Sequence, residues 1–172
     1  LLRDVAFPVV ATSGNLSNEP ICYTEEQAQT RLRDVADLLL THNRPIARPM
    51  DDSVVRWAAG RPLRLRLGRG YAPCVIPLPA SAGDPVVAVG GHLKNTVALA
   101  VGGQAVVSQH LGDLDTVETQ TVFEKTLADL RTLYAVAPTT QVCDAHPDYI
   151  SSRYALRQGA HTQRVQHHHA HL

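Results

Sequence analysis

Between Tyr71 and Pro85 the chain carries Pro73, Pro77, Pro79, Ser81, Gly83 and Pro85. Proline has no amide hydrogen to donate, and serine and glycine favour turns, so regular structure is interrupted repeatedly along this stretch. It divides the 172 residues into two units, 1–79 and 86–172, joined by a linker at 80–85. With 44% hydrophobic residues there is enough apolar material to bury a core.

The first unit alternates strand and helix patterns. Phe7-Pro8-Val9-Val10-Ala11 reads as a strand, Thr24-Glu25-Glu26-Gln27 as a capping box opening a helix toward Val35, and Asp37-Leu38-Leu39-Leu40 as another strand. Ser53 to Trp57 and Leu63 to Leu67 add two more, the second with strict alternation that sends leucines to one face and arginines to the other. In the second unit Val86 to Val89 and Thr96 to Val101 are strands, and Gly102-Gly103 turns the chain into Gln104 to Val107. Asp115-Thr116-Val117-Glu118 offers a cap. Phe123, Leu127, Leu130 and Tyr134 then recur at helical spacing as core residues until Pro138. Gln141 to Asp144 is a short strand, Asp148 to Gln158 a helix and Thr162 to Val165 a strand. The pattern is α/β throughout.

Sixteen basic and sixteen acidic residues leave no net charge, which argues against electrostatic capture of nucleic acid or an anionic membrane as the main activity. Cys22, Cys74 and Cys143 are too few and too dispersed for a disulfide framework or a Cys-x-x-Cys clamp, which fits a reducing cytoplasm. No apolar run approaches the roughly 20 residues that span a bilayer.

Chemistry concentrates in a few loops. Thr12-Ser13-Gly14-Asn15 places a hydroxyl, a permissive glycine and an amide together, a composition suited to phosphate or ribose oxygens and equally to an ordinary polar turn. Gly90-Gly91-His92-Leu93-Lys94-Asn95-Thr96 lies between two strands, where glycine lets backbone approach a phosphate. The chain ends with His167-His168-His169-Ala170-His171-Leu172, in which Ala170 interrupts what a purification tag would leave unbroken. On a helix, residues 167 and 171 share one face about 6 Å apart along the axis, a spacing at which two imidazoles can hold one metal ion, whereas His168 and His169 point elsewhere. Two ligands do not complete a site, so a third is expected from sequence outside this chain.

The blocks 12–21, His42-Asn43-Arg44-Pro45-Ile46, Asp51-Asp52-Ser53-Val54-Val55-Arg56 and Arg69-Gly70-Tyr71-Ala72-Pro73, in that order, resemble the YrdC-like domain of the HypF carbamoyltransferases. Leu93-Lys94-Asn95-Thr96, residues 108–114, Asp144-Ala145-His146-Pro147-Asp148-Tyr149 and the histidine tract resemble the Kae-type domain that follows it. The resemblance implies the C-terminal part of a YrdC-like α/β domain and the N-terminal part of an actin-like (ribonuclease-H-like) domain. It implies an enzyme of nickel–iron hydrogenase maturation that forms carbamoyl-adenylate from carbamoyl phosphate and ATP. The carbamoyl group then passes to a cysteine of the protein HypE.

By the same resemblance, Ser13, Asn15, Ser53 and Arg66 contact the nucleotide, while Lys94, Asn95 and Thr96 form a phosphate-facing hairpin. His167 and His171 hold a divalent metal, zinc or iron, and magnesium accompanies ATP. Leu67-Gly68 departs from the Arg-Ala usual in relatives, removing a cation. Acylphosphatase-like and zinc-finger domains are expected upstream and the rest of the actin-like core downstream, so this stretch alone is expected to be inactive and to leave sheet edges open. YrdC-like and Kae-type domains also serve threonylcarbamoyl-adenylate synthesis and tRNA modification, and YrdC-like domains can bind RNA. A fused enzyme of that pathway and a non-catalytic nucleotide-binding module are the alternatives.

Overall fold

The computed structural model describes residues 2–17, 19–80 and 83–172. Its elements run α1 (Glu25–Arg31), β1 (Val54–Ala58), β2 (Arg61–Arg66), β3 (Cys74–Pro77), β4 (Val86–Ala88), β5 (Ala98–Val101) and β6 (Gln104–Val107), followed by α2 (Val117–Leu133), β7 (Thr140–Asp144), α3 (Ile150–Arg157), β8 (His161–Val165) and α4 (His167–Ala170). Strands β1 and β2 form a separate antiparallel ribbon, and the others form one six-stranded sheet in the order β3-β6-β5-β4-β7-β8. The expected α/β class holds.

Local signals account for several elements. The capping box at α1 is complete: the Gln27 amide donates to Thr24 Oγ1 at 3.1 Å, and the Thr24 amide donates to Gln27 Oε1 at 3.3 Å. Gly102 and Gly103 both take positive φ, 57° and 78°, and close the β5–β6 hairpin. Thr116 caps α2, whose Val122, Phe123, Leu127 and Leu130 pack on Val87, Val89, Val97, Leu99 and Val106 of the sheet side. Each such side chain, fully buried, contributes about 1.5–3 kcal/mol.

Two expected strands do not form. Phe7–Ala11 and Asp37–Leu40 carry no strand pairing, and Val10 and Leu40 are 98% and 101% exposed. An apolar run becomes a strand only when a neighbour accepts its amide hydrogens, and none lies beside either segment among the described residues. The leucine–arginine alternation of β2 is real as pairing, yet every one of its residues is exposed, so its two faces are not separated into core and solvent.

Strand β3 lies on the N-terminal side of the expected linker but pairs antiparallel with β6, adding an edge to the large sheet. Ser81 and Ala82 of that linker lie outside the described residues, as do Leu1 and Asn18. The hydrophobic core is drawn entirely from residues 87–155. The preceding segment is tied to it by Arg31, which bridges Glu19 and Glu118, and by Arg48 to Asp129 at 3.7 Å. No helix among the described residues is long and apolar enough to cross a membrane.

The sheet topology places the chemistry. Strands β4, β7 and β8 are parallel, with Val87 beside Gln141 and Asp144 beside Val165. Their carboxyl ends therefore open on one side, where loops of α/β sheets gather ligand contacts.

Candidate functional site

At that edge a cavity of about 600 Å³ is lined by the loop from Gly90 to Lys94, by Cys143 and Asp144 at the end of β7, and by His167 and His171. Helix α4 begins directly after β8, with the Gln166 side chain accepting the His169 amide at 3.0 Å. The two expected ligands converge: Nε2 of His167 and Nε2 of His171 are 3.2 Å apart. His168 turns instead toward the Gln166 side chain.

The donor pair fits a divalent metal. Two nitrogens each about 2.0–2.1 Å from one zinc at a tetrahedral angle stand about 3.3–3.4 Å apart, close to the separation found. Among the described residues no group of three histidine, cysteine, aspartate or glutamate side chains converges on such a point. His167 turns its other ring nitrogen, Nδ1, to Asp144 Oδ2 at 2.7 Å. Burial pushes the Asp144 carboxyl up, but the His146 amide and the His167 ring pull it down further, and the net is below its ordinary range. Cys143 behaves oppositely. Burial raises its thiol despite the Ser152 hydrogen bond, so it lines the cavity as a packing group and not as a thiolate.

The glycine loop owes its shape to close approach. Gly90 takes φ +68°, and a Cβ there would meet the Thr96 carbonyl oxygen at 2.1 Å. Asn95, 1% exposed, spans the loop by donating to the carbonyls of Val89 and Gly91 at 2.9 and 2.5 Å. Lys94 sits at φ +48° with its amide donating to Asp113 Oδ1 at 2.7 Å, leaving its side chain exposed. Of the three residues expected in this hairpin, Asn95 thus acts on the loop itself, whereas Lys94 is exposed and Thr96 half-buried.

A second cavity, of about 450 Å³, lies against the first unit and is lined by Val54, Arg64, Arg66, Lys94, Thr96 and His110, among others. Arg66 from the expected nucleotide set and Lys94 with Thr96 from the expected phosphate hairpin thereby share one space, and Lys94 lines both cavities. The His110 amide donates to the Leu67 carbonyl at 2.6 Å, joining the two units here. Burial pushes the His110 imidazole below its ordinary value, with Arg66 and Lys94 adding to the shift and Asp51 and Asp113 opposing it.

The other expected nucleotide contacts are engaged locally. Ser53 Oγ accepts the Gly68 amide and donates to the Arg69 carbonyl, both at 2.9 Å, clamping two loops together. Asn15 donates its side-chain amide to the carbonyls of Leu16 and Glu19 at 2.9 and 3.1 Å, while Ser13 is exposed. Neither residue lines the two cavities. Sequence reasoning carried Asp144 and His110 within blocks of the family resemblance but gave neither a role in the site. Their signal was position, since Asp144 ends a strand and His110 follows one.

Comparison with known proteins bears on both halves. Residues 81–172 match the family model of the HypF Kae1-like domain, and residues 1–68 match the Sua5/YciO/YrdC model described as telomere recombination. Carbamoyltransferase HypF of Synechocystis sp. is 51% identical over the whole chain, and that of Rhodobacter capsulatus 41% over 95% of it. The chain spans 22% and 23% of those relatives. A solved structure of full-length HypF in a phosphate- and nucleotide-bound form superposes with a TM-score of 0.93 at 39% identity, covering 99% of this chain and 27% of that one. HypF of T. kodakarensis gives 0.81 at 32% identity, covering 93% and 21%.

Proposed function

The chain belongs to the HypF carbamoyltransferase family, and from that premise we propose that it supplies two facing sites for carbamoyl transfer within a longer enzyme. The substrates are carbamoyl phosphate and ATP with magnesium, the intermediate is carbamoyl-adenylate, and the acceptor is a cysteine thiol of HypE in nickel–iron hydrogenase maturation. The observation that supports this reading is the position of Lys94, which lines both the cavity containing Arg66 and the cavity containing His167 and His171. Lys94 is thus the side chain that the two cavities share.

In the first step carbamate, left when water releases phosphate from carbamoyl phosphate, attacks the α-phosphorus of ATP and pyrophosphate leaves, while Arg66 and Lys94 offset charge on the nucleotide phosphates. Thr96 offers a hydroxyl to the same space. In the second, the HypE thiolate attacks the carbamoyl carbon and the bond to the adenylate oxygen breaks, releasing AMP. Lys94 then stabilises the negative charge returned to the departing phosphate. A divalent metal held by His167 and His171 with a further ligand would supply Lewis-acid polarisation, and zinc or iron suits imidazole donors. The free Cys22, Cys74 and Cys143 accord with a cytoplasmic setting.

The test uses the full-length protein, ATP, carbamoyl phosphate and purified HypE. Mass spectrometry of HypE should find a carbamoylated cysteine that disappears with Arg66→Ala and with Lys94→Ala. Adenylate formation only with threonine and bicarbonate would instead assign the chain to tRNA modification.

A further inference from the structure

We propose that Asp144, which lies outside the pair expected to hold the metal, is the positioning residue that fixes His167 as an Nε2 ligand; the inference rests on the metal-binding reading of His167 and His171. Asp144 ends β7 and pairs in register with Val165, two residues before His167, so parallel pairing delivers the carboxylate to the imidazole. The Ala145 amide donates to the Val165 carbonyl at 2.9 Å and holds the crossing in place.

The carboxylate itself is fixed. Its side chain is 7% exposed, Oδ1 accepts the His146 amide at 2.8 Å, and Oδ2 faces His167 Nδ1 at 2.7 Å. The Asp144 carbonyl in turn accepts the Ser152 hydroxyl at 2.9 Å, which anchors the strand end to α3.

An ionised carboxylate only accepts hydrogen bonds, so the proton of a neutral His167 ring resides on Nδ1. Nε2 is then left with a lone pair, and it is this atom that lies 3.2 Å from His171 Nε2. Asp144 is not itself placed as a ligand, because its oxygen sits at the Nδ1 edge of the ring, away from the point where the two Nε2 atoms converge. A carboxylate behind a histidine fixes tautomer and ring angle and raises ligand basicity, and losing such a partner typically weakens metal binding 10–100-fold. Asparagine is the informative replacement. It keeps the volume but can present an N–H to Nδ1, favouring the tautomer with its proton on Nε2, which cannot bind metal.

The experiment measures zinc dissociation constants on the full-length protein by competition with a chromophoric chelator. Wild type, Asp144→Asn, His167→Ala and the double variant are compared. Asp144→Asn should weaken zinc binding by about 10–100-fold. In the His167→Ala background the same change should add nothing, because a residue acting through His167 has no route left. Equal affinity of wild type and Asp144→Asn would overturn the positioning role while leaving the metal reading intact. A further loss in the His167→Ala background would also overturn it, since Asp144 would then act on the fold. Absence of zinc binding by the wild type would overturn the metal reading and this inference with it.

Discussion

Arg31 at the end of α1 reaches Glu118 in the first turn of α2, with Nη2 and Oε1 2.5 Å apart although 87 positions separate them. The same guanidinium also holds Glu19, so a single cation ties the N-terminal loop, the first helix and the long helix of the second unit. The hydrogen bond from Arg31 keeps the Glu118 carboxyl below its ordinary value. A depressed carboxylate adds stability that is complete above its unfolded value and fades as pH falls through the lower folded one. Acidification below about pH 4.5 should therefore loosen the first unit from the second. Hydrogen exchange in α1 should rise there, and Arg31→Ala should show the faster exchange already at neutral pH.

His110 predicts a separate acid response at the junction. Its imidazole is held below its ordinary value, so the folded protein disfavours a proton that the unfolded chain accepts. The sign follows: stability is full above pH 6.5 and is lost as pH falls from there toward the folded value. Unfolding midpoints followed from pH 7.5 to 5.5 should decline more for wild type than for His110→Gln. Parallel curves would remove His110 as the source.

Gly90→Ala should destabilise the protein by about 1–3 kcal/mol or more, because the backbone there is left-handed and the added methyl would meet the Thr96 carbonyl. Urea unfolding measures the loss. Gly102→Ala has open space around it and keeps only the conformational penalty, so it should cost less.

His167→Ala and His171→Ala should each lower bound metal in the full-length enzyme, measured by elemental analysis, and lower carbamoyl transfer in parallel. His169→Ala should do much less, since its imidazole is outside the Nε2 pair. Acidification should release metal, because imidazole must be neutral to bind it. Equal retention in all three variants would dissolve the site.

What the sequence determined by itself was short-range. The capping box at Thr24 and Gln27, the Gly102-Gly103 turn, the periodicity of Phe123, Leu127 and Leu130, and the four-residue step from His167 to His171 each depend on contacts within about one or two turns of chain. Such signals act before any tertiary partner is in place. The resemblance of ordered blocks also identified both domains, because motif order survives without coordinates.

Only the tertiary structure decided which distant groups meet. Asp144 reaches His167 because β7 and β8 pair in parallel at one register, and a slip of one residue would turn the carboxylate to the other face. Lys94 borders Arg66 because the β1–β2 ribbon rests beside the glycine loop, a docking that no local pattern encodes. The same principle explains the failures. Phe7–Ala11 and Asp37–Leu40 have the composition of strands, but a strand is a hydrogen-bonded relation between two segments, and composition specifies only one of them. Cys74–Pro77, set among prolines, became a strand because β6 offered it an edge.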